Sequence, residues 1–230
     1  METANISHSK TADGSSTLYS ERHNALYHSQ HGAVTESKHI FIEAGFKARD
    51  LKSISILEVG FGTGLNAALT AFEALLRKVN VIYHAIELYP LAVNDYKLLN
   101  YSRILEPVVA SAWNELCALP WNHESKLNPS FKIEKSCIDF TTWQPMKNYD
   151  LVYFDAFAPD DQPEMWSAEQ FQKVYDAMNN GGALVTYCVK GIVKEALRAV
   201  GFQIERLPGP PGKNHILRAW KKMKIFGINK

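Results

Sequence analysis

Residues 54–66 read ISILEVGFGTGLN, a short apolar run followed by three glycines at alternate positions. The run Ile54–Val59 has the length of a buried strand, and the apolar spacing of Leu65–Lys78 predicts a helix after the glycines. Because glycine has no side chain, a ligand can approach the backbone of the turn between them closely. The stretch therefore predicts a strand, a ligand-binding turn and a helix, which is how an α/β fold begins.

The spacing of the three glycines narrows the class of ligand. Dinucleotide-binding turns follow the pattern G-x-G-x-x-G, and phosphate-binding loops end in Gly-Lys-Ser or Gly-Lys-Thr. The spacing here is G-x-G-x-G without that lysine, and an acid lies two residues before the first glycine. Such an acid suits a ligand with a cationic amino-acid end better than a pyrophosphate. The predicted cofactor contacts in this stretch are Glu58, Gly60, Phe61, Gly62, Gly64 and Asn66.

Strand and helix patterns alternate through the rest of the chain. Strands are predicted at Val81–Leu88, Phe131–Cys137, Asp150–Phe154, Ala183–Cys188, Phe202–Leu207 and His215–Lys221. Helices are predicted from Pro90 to residue 100, over Ala168–Met178 and over Lys190–Val200, with an irregular insertion at 101–130 and a turn at 179–182. The alternation indicates a mostly parallel sheet covered on both faces, and the last two strands must pair antiparallel. A seven-stranded α/β sheet with a C-terminal hairpin is the outline of the Rossmann-like class I methyltransferases.

Three parts of the chain differ in composition. Residues 1–17 are predicted to be a disordered lead, residues 18–50 an N-terminal arm or cap, and residues 51–230 the cofactor-binding domain. The polar start lacks the apolar segment of a signal peptide, and no run reaches the roughly 20 apolar residues of a membrane span. Three scattered cysteines without a C-x-x-C pair favour a reducing compartment. We therefore predict a cytoplasmic protein without membrane contact, with a monomer favoured.

Acidic residues stand at the ends of four predicted strands, at Glu58, Glu87, Asp139 and Asp155. Carboxyl ends of parallel strands meet at one edge of an open sheet, where such folds bind ligands. Glu87 is placed to accept hydrogen bonds from two ribose hydroxyls, and Asp139 to meet an adenine amino group. S-adenosylmethionine fits this set, because its cationic sulfonium is attracted to carboxylates and aromatic faces. NAD would also use Glu87, but its pyrophosphate has less reason to lie beside Glu58.

Four motifs together resemble a known family: EVGFGTGLN at 58–66, DAFAPDDQPEMW at 155–166, TYCVKG at 186–191 and GPPGKNHILRA at 209–219. They look like the methyltransferase module of the bacterial enzymes that make 5-methylaminomethyl-2-thiouridine in tRNA. The resemblance implies methyl transfer from S-adenosylmethionine to the aminomethyl nitrogen of the wobble uridine, with the tRNA anticodon loop as partner. In many bacteria this module is fused to an FAD-dependent oxidase. A chain of 230 residues lacks room for the oxidase, so we expect the stand-alone form, which needs no FAD.

The resemblance also implies roles for individual residues. Asp155 is expected to orient the acceptor amine, and to position it more than to act as a base, because an exposed aspartate is a weak base. Phe157 and Trp166 are expected to stack on the splayed-out uracil, although plain packing beneath the loop is an equal alternative for both. Tyr27 and Glu36 are candidates for closing over the methionine end of the cofactor.

Charge is distributed unevenly along the chain. The last 45 residues, 186–230, hold ten Lys and Arg against two Asp and Glu, although the whole chain has a net charge of only +1. This excess favours contact with RNA phosphates, for which Lys190, Lys213 and Arg218 are the predicted residues. A solvated basic rim would produce the same composition. His23, His28, His31 and His39 are irregularly spaced and lack cysteine partners, so no metal is predicted.

Three alternatives to this function remain open. The first keeps the cofactor and changes the acceptor to another amine or another RNA position. The second is an NAD(P)-dependent oxidoreductase, against which the glycine spacing and the lack of an evident Tyr-Lys pair both argue. The third is a non-catalytic RNA-binding relative, which the intact Glu58, Glu87 and Asp155 disfavour.

Overall fold

A computed structural model describes residues 6–145 and 148–223 of the chain. Its strands are β1 (Ile6–Lys10), β2 (Ser16–Ser20), β3 (Ala25–Leu26), β4 (Ser53–Val59), β5 (Asn80–Glu87), β6 (His123–Asn128), β7 (Phe131–Cys137), β8 (Tyr149–Phe154), β9 (Met178–Thr186), β10 (Gln203–Pro208) and β11 (His215–Trp220). Its α-helices are α1 (Ala33–Ser37), α2 (Leu65–Arg77), α3 (Val93–Tyr96), α4 (Tyr101–Ile104), α5 (Pro107–Ala118), α6 (Ala168–Ala177) and α7 (Gly191–Ala199). A π-helical segment at Lys38–Glu43 continues α1, and short 3₁₀ turns lie at Phe46–Ala48 and Pro163–Trp166.

The main sheet has eight strands in the order β10-β11-β9-β8-β4-β5-β7-β6. The five central strands β9, β8, β4, β5 and β7 run parallel, and β11 and β6 pair antiparallel with the two ends of this set. The C-terminal hairpin of β10 and β11 is antiparallel, as predicted. The predicted α/β class I methyltransferase fold is confirmed, with one strand more than the seven that the sequence indicated.

Residues 101–130 account for the additional strand, and the prediction of an irregular insertion there is wrong. Pro107 occupies the first turn of α5, where its missing N–H leaves no hydrogen bond unmade. The helix then buries Val109, Ala110, Trp113 and Leu116, the i, i+1, i+4, i+7 face that packs against α2. A strand follows and pairs with β7. The prolines and tryptophans around this segment obscured its helical period.

The N-terminal lead is also ordered where it is described, so the prediction of disorder is wrong for residues 6–17. Strands β1, β2 and β3 form a separate antiparallel sheet. Asp13 in the β1–β2 turn accepts hydrogen bonds from the backbone N–H groups of Ser15, at 3.0 Å, and of Thr35 in α1, at 2.9 Å. The polar composition of this segment predicted disorder because it does not show which side chains form these hydrogen bonds. Residues 1–5 lie outside the described residues.

Two smaller boundaries differ from the predictions. The helix expected from Pro90 to residue 100 is only the four residues of α3, followed by turns. The turn expected at 179–182 lies within β9, which pairs with β8 through an irregular register that accommodates the two glycines. The second error comes from a local turn signal that sheet pairing overrides.

Alternation along β4 and β8 builds a core on each face of the sheet. Ile54, Ile56, Leu151 and Tyr153 face the α2 and α5 side, whereas Leu57, Val59, Val152 and Phe154 face the α6 and α7 side. Because β4, β5, β7 and β8 are parallel, the acids at their carboxyl ends converge on one edge. Among the described residues, no helix is long and apolar enough to cross a membrane.

Candidate active site

A cavity of about 810 Å³ opens at the carboxyl ends of β4, β5, β7 and β8. The segment 23–30 of the N-terminal sheet and the loop after β8 cover it. The predicted site residues that line it are Tyr27, Glu36, Gly60, Phe61, Gly62, Asn66, Glu87, Asp139, Asp155, Phe157 and Lys213. Its volume falls in the range of small-molecule and cofactor sites.

The glycine turn forms the floor of the cavity. Gly60 has φ +91°, and a Cβ there would lie 2.6 Å from the carbonyl oxygen of Asp155. Gly62 has φ +49°, and its Cβ would lie 3.1 Å from the ring of Tyr27. Both the left-handed conformation and the lack of space exclude a side chain, so these two positions require glycine. The turn lies between β4 and α2, where the glycine spacing predicted it.

The acids after β5 and β7 are held by backbone hydrogen bonds. Glu87 accepts from the N–H of Gly62 at 3.1 Å and from the N–H of Tyr89 at 2.9 Å. Burial raises the pKa of the Glu87 carboxyl, and the hydrogen bonds from backbone N–H groups partly offset that effect. Asp139 accepts from the backbone N–H and the hydroxyl of Thr141, both at 2.7 Å. Each carboxylate is therefore fixed in direction before a ligand arrives.

Glu58 lies behind the cavity wall and does not line it, which corrects its prediction as a direct cofactor contact. Its side chain is fully buried, and the amide of Asn66 separates it from the cavity. That amide nitrogen donates to Glu58 at 3.0 Å and to Asp155 at 2.9 Å. Gly64 is likewise beneath the floor, since a Cβ there would lie 2.9 Å from the ring of Phe61.

Asp155 is half-buried against Asn66, whereas we expected an exposed aspartate. Burial raises the pKa of Asp155 well above its usual value, and the nearby charge of Glu36 raises it further. Burial likewise raises the pKa of Glu58, with the charge of Asp155 adding to the effect. A buried and a half-buried carboxyl group joined through one amide favour a cation in the cavity beside them.

Glu36 and Lys213 form an ion pair at the end of the cavity near Asp155. Lys213 Nζ lies 3.3 Å from Glu36 Oε1, and Glu36 Oε2 accepts from the N–H of Ser29 at 2.9 Å. The ammonium of Lys213 also lies 4.7 Å from the ring centre of Tyr187. A carboxylate beside an ammonium complements the zwitterionic end of an amino acid. Lys213, predicted as a phosphate contact, therefore belongs to the cavity.

Aromatic rings frame the mouth of the cavity. Phe157 stacks on His23 at a ring distance of 4.3 Å and meets the edge of Tyr27 at 5.1 Å. His23 also approaches Tyr89 at 5.9 Å. The sequence reasoning missed His23 and Tyr89; the aromatic-rich arm was the signal available. Aromatic rings beside acids suit a ligand that combines a planar base with a cationic group.

Trp166 lies beneath the loop and is 4% exposed, so the prediction that it stacks on a base is wrong. Its indole N–H donates to the carbonyl of Phe157 at 2.8 Å, and its ring packs on Phe154 at 5.0 Å. The packing alternative is correct for this tryptophan. Its ring supports the loop from below and holds the backbone of Phe157.

The other two predicted phosphate contacts lie outside the cavity and are already paired. Lys190 forms an ion pair with Asp160 on the surface. Arg218 lies 2.8 Å from Glu205 and donates to the carbonyl of Ala44 at 3.0 Å. The basic composition of the C-terminal region therefore reflects bonds within the protein at these positions. In the described chain, no group of three or more His, Cys, Asp or Glu is arranged to hold a metal ion.

Comparison with known proteins agrees with this geometry. Residues 115–222 match a family of S-adenosyl-L-methionine-dependent methyltransferases. Two bacterial relatives are both tRNA 5-methylaminomethyl-2-thiouridine biosynthesis bifunctional proteins MnmC. The one from Nitrosospira multiformis is 28% identical over 87% of this chain and 35% of its own length. The one from Azoarcus is 31% identical over 71% of this chain and 27% of its own length. The chain thus spans about a third or less of these relatives.

Solved structures show the same fold. MNMC2 from Aquifex aeolicus superimposes with a TM-score of 0.77 at 22% identity, covering 96% of this chain and 72% of that one. Spermidine synthase from Thermotoga maritima superimposes with a TM-score of 0.51 at 10% identity, covering 96% of this chain and 80% of that one. Both likenesses concern the fold alone.

The fold is that of the Rossmann-like methyltransferases, and residues 115–222 match the S-adenosyl-L-methionine-dependent class. Within that class, the chain is related to the methyltransferase module of the bifunctional MnmC proteins, as its motifs indicated.

Proposed function

We propose that the protein methylates the aminomethyl nitrogen of 5-aminomethyl-2-thiouridine at the wobble position of tRNA, in the cytoplasm, with the anticodon loop as its partner. Relatives named for the biosynthesis of the methylated nucleoside support the choice of acceptor. The observation that carries the proposal is the charge of the cavity, which is lined by seven carboxylates and a single lysine. Such a lining favours two cationic groups together, a sulfonium and an amine. The transfer changes no oxidation state and therefore requires no FAD, and the proposed transfer uses no metal.

The residues that would hold the cofactor fit its chemistry. Gly60, Gly62 and Glu87 line the cavity, and the Glu87 carboxylate would accept hydrogen bonds from ribose hydroxyls. Asp139 would accept from an adenine amino group, and the Glu36–Lys213 pair would complement the methionine end. When bound, S-adenosylmethionine supplies an electrophilic methyl group on its sulfonium sulfur.

Asp155 has the environment of a proton acceptor. A primary amine has a pKa of about 10 in water and is mostly protonated at neutral pH, whereas only the neutral amine is nucleophilic. Because burial raises the pKa of Asp155, its carboxylate accepts a proton more readily than an exposed aspartate would. The amine nitrogen then forms the N–CH₃ bond as the S–CH₃ bond breaks, and the electron pair of that bond stays on sulfur. Asn66 keeps the carboxylate oriented throughout.

Phe157 supplies the face on which a displaced base can stack. Its ring is partly exposed at the cavity mouth, between His23 and Tyr27. Modification of a wobble base requires that base to leave the stack of the anticodon loop, and an aromatic face offsets part of the lost stacking energy.

Nucleoside mass spectrometry tests the proposed reaction. Purified protein, S-adenosylmethionine with an isotopically labelled methyl group, and tRNA that carries 5-aminomethyl-2-thiouridine are incubated together. We expect that nucleoside to disappear while a product one labelled methyl heavier accumulates. The Asp155→Ala variant should yield no product.

Asp160→Asn is the matched control, because Asp160 lies in the same loop, pairs with Lys190 and does not line the cavity. That variant should retain wild-type activity. If the wild-type protein binds S-adenosylmethionine but leaves tRNA unlabelled while it methylates a free amine, the tRNA acceptor is wrong and the methyltransferase assignment stands.

A further inference from the structure

A second cavity, of about 830 Å³, lies between the N-terminal sheet and helices α3, α4 and α5. Trp113 forms part of its wall and donates its indole N–H to the carbonyl of Thr63 at 2.9 Å. Thr63 lines the first cavity. The two cavities therefore share the Trp113–Thr63 wall, and one macromolecule bound across it can reach both.

The second cavity is basic. His8, Lys10, Lys97 and Arg103 line it, and no Asp or Glu is among its lining residues. All four of these side chains belong to exposed residues. In the described part of the chain, Lys10, Lys97 and Arg103 form no ion pair with a carboxylate. An anion that bound here would not have to displace an existing acidic partner.

Apolar side chains are exposed beside these cations. Val93 is 70% exposed, and Leu98 and Ile104 are each 42% exposed, and all three line the cavity. Beneath them, the buried rings of Tyr96 and Trp113 form the floor. Apolar surface next to unpaired cations complements a ligand with a flat ring and a negative charge. A nucleotide has both, because its base offers an apolar face and its phosphate carries the charge.

The three basic residues predicted near the C-terminus as phosphate contacts already have acidic partners. Lys190 pairs with Asp160, Lys213 with Glu36 and Arg218 with Glu205, so each would have to break an ion pair to contact a phosphate. Lys10 on β1, Lys97 just after α3 and Arg103 on α4, in contrast, lie together around the second cavity without an acidic partner among the described residues.

We propose that the second cavity is an RNA-anchoring site, which binds a phosphate and an unstacked base of the same tRNA whose wobble residue enters the first cavity. The proposal rests on the proposed function for the identity of the RNA. The cations bind the sugar-phosphate backbone, and the apolar rim contacts the base. Binding at this second cavity adds affinity for the tRNA that does not depend on contacts with the nucleotide that is methylated.

The double variant Lys10→Gln/Arg103→Gln tests the site, with bacterial tRNA as the probe and fluorescence anisotropy at several salt concentrations as the readout. Log affinity falls as log salt rises, and each lost phosphate contact makes that negative slope shallower by about 1. We therefore expect the magnitude of the slope to decrease by about 2 in the double variant. Affinity near physiological salt should fall roughly tenfold or more. An unchanged affinity and slope would overturn the proposal, as would a wild-type protein that fails to bind tRNA.

Lys126→Gln/Lys132→Gln is the matched control, because it removes two positive charges from exposed residues of β6 and β7 that line neither cavity. An equal loss in this control would show a diffuse electrostatic effect and overturn the site. A further variant, Val93→Glu, places a negative charge on the rim and should weaken tRNA binding without removing a cation.

Two measurements separate this site from the proposed function. Binding of S-adenosylmethionine, measured by calorimetry, should be equal in the wild-type protein and in Lys10→Gln/Arg103→Gln. If tRNA binding depends on Lys10 and Arg103 but no tRNA is methylated, the anchoring site stands and the proposed acceptor fails. If the double variant loses binding to anionic lipid vesicles while its tRNA affinity stays that of the wild type, the cavity serves a membrane and the anchoring proposal is wrong.

Discussion

The two cavities of this protein share a wall and carry opposite charge. Seven carboxylates and one lysine line the first, whereas Lys10, Lys97, Arg103 and His8 line the second without a carboxylate. This difference matches the proposed reaction. The acidic cavity suits the cationic groups between which the methyl group moves, and the basic cavity suits the anionic RNA backbone. A polyanion would be repelled by the first cavity alone, so separate cations allow an acidic site to act on RNA.

Asp155→Asn should have the largest effect on the acidic cavity. We expect the rate of methyl transfer to fall at least about 100-fold, because a neutral amide cannot accept the proton of the amine. The ligand-free variant should melt a few degrees higher, since the penalty for a buried carboxylate disappears. Single-turnover kinetics and calorimetric melting check both effects. A variant that keeps its rate would remove Asp155 from proton transfer, and tRNA affinity should not change.

Trp166→Ala and Phe157→Ala separate two roles. Trp166 packs beneath the loop after β8, whereas Phe157 lines the acidic cavity. Trp166 is buried, so its truncation should destabilise the protein by about 3–5 kcal/mol. Phe157 is partly exposed at the mouth, so its truncation should raise the KM for tRNA and leave stability nearly unchanged. Urea unfolding and steady-state kinetics give the two values. Equal destabilisation by both variants would mean that Phe157 is also a packing residue.

Lys213→Gln tests to which cavity this lysine contributes. Its pairing with Glu36 places it in the acidic cavity, so we expect about a tenfold loss of S-adenosylmethionine affinity, or about 1.4 kcal/mol. The salt dependence of tRNA binding should remain that of the wild-type protein. Calorimetry and anisotropy measure the two quantities. A smaller salt slope with unchanged cofactor affinity would instead return Lys213 to the phosphate contacts.

The pH dependence of cofactor binding is the smallest expected effect. Burial raises the pKa values of Glu58, Glu87 and Asp155. These carboxyl groups therefore stay protonated to a higher pH than exposed ones do. A bound cation lowers those pKa values, so protons leave on binding and affinity rises with pH across the raised titrations. Calorimetry in buffers of different ionisation enthalpy counts these protons. Proton uptake in place of release would contradict the assigned charge of the cavity.

Local pattern was sufficient to predict the frame of the acidic cavity. The run at residues 54–66 predicted β4, the glycine turn and α2 nearly to the residue, because strand and helix periods and glycine spacing are properties of neighbouring residues. The acids at 87, 139 and 155 meet because parallel strands present their carboxyl ends at one edge.

What the sequence determined by itself was therefore the class of fold, the glycine turn and the meeting of the acids at the ends of β5, β7 and β8. Only the tertiary structure decided that Glu58 lies behind Asn66, that Trp166 supports the loop from below, and that Lys213 turns inward to Glu36. It also created the basic cavity, whose walls come from β1 and from helices about 90 residues further along the chain. The physical reason is that side-chain direction and the choice of ionic partner depend on packing between distant segments, which no local period records.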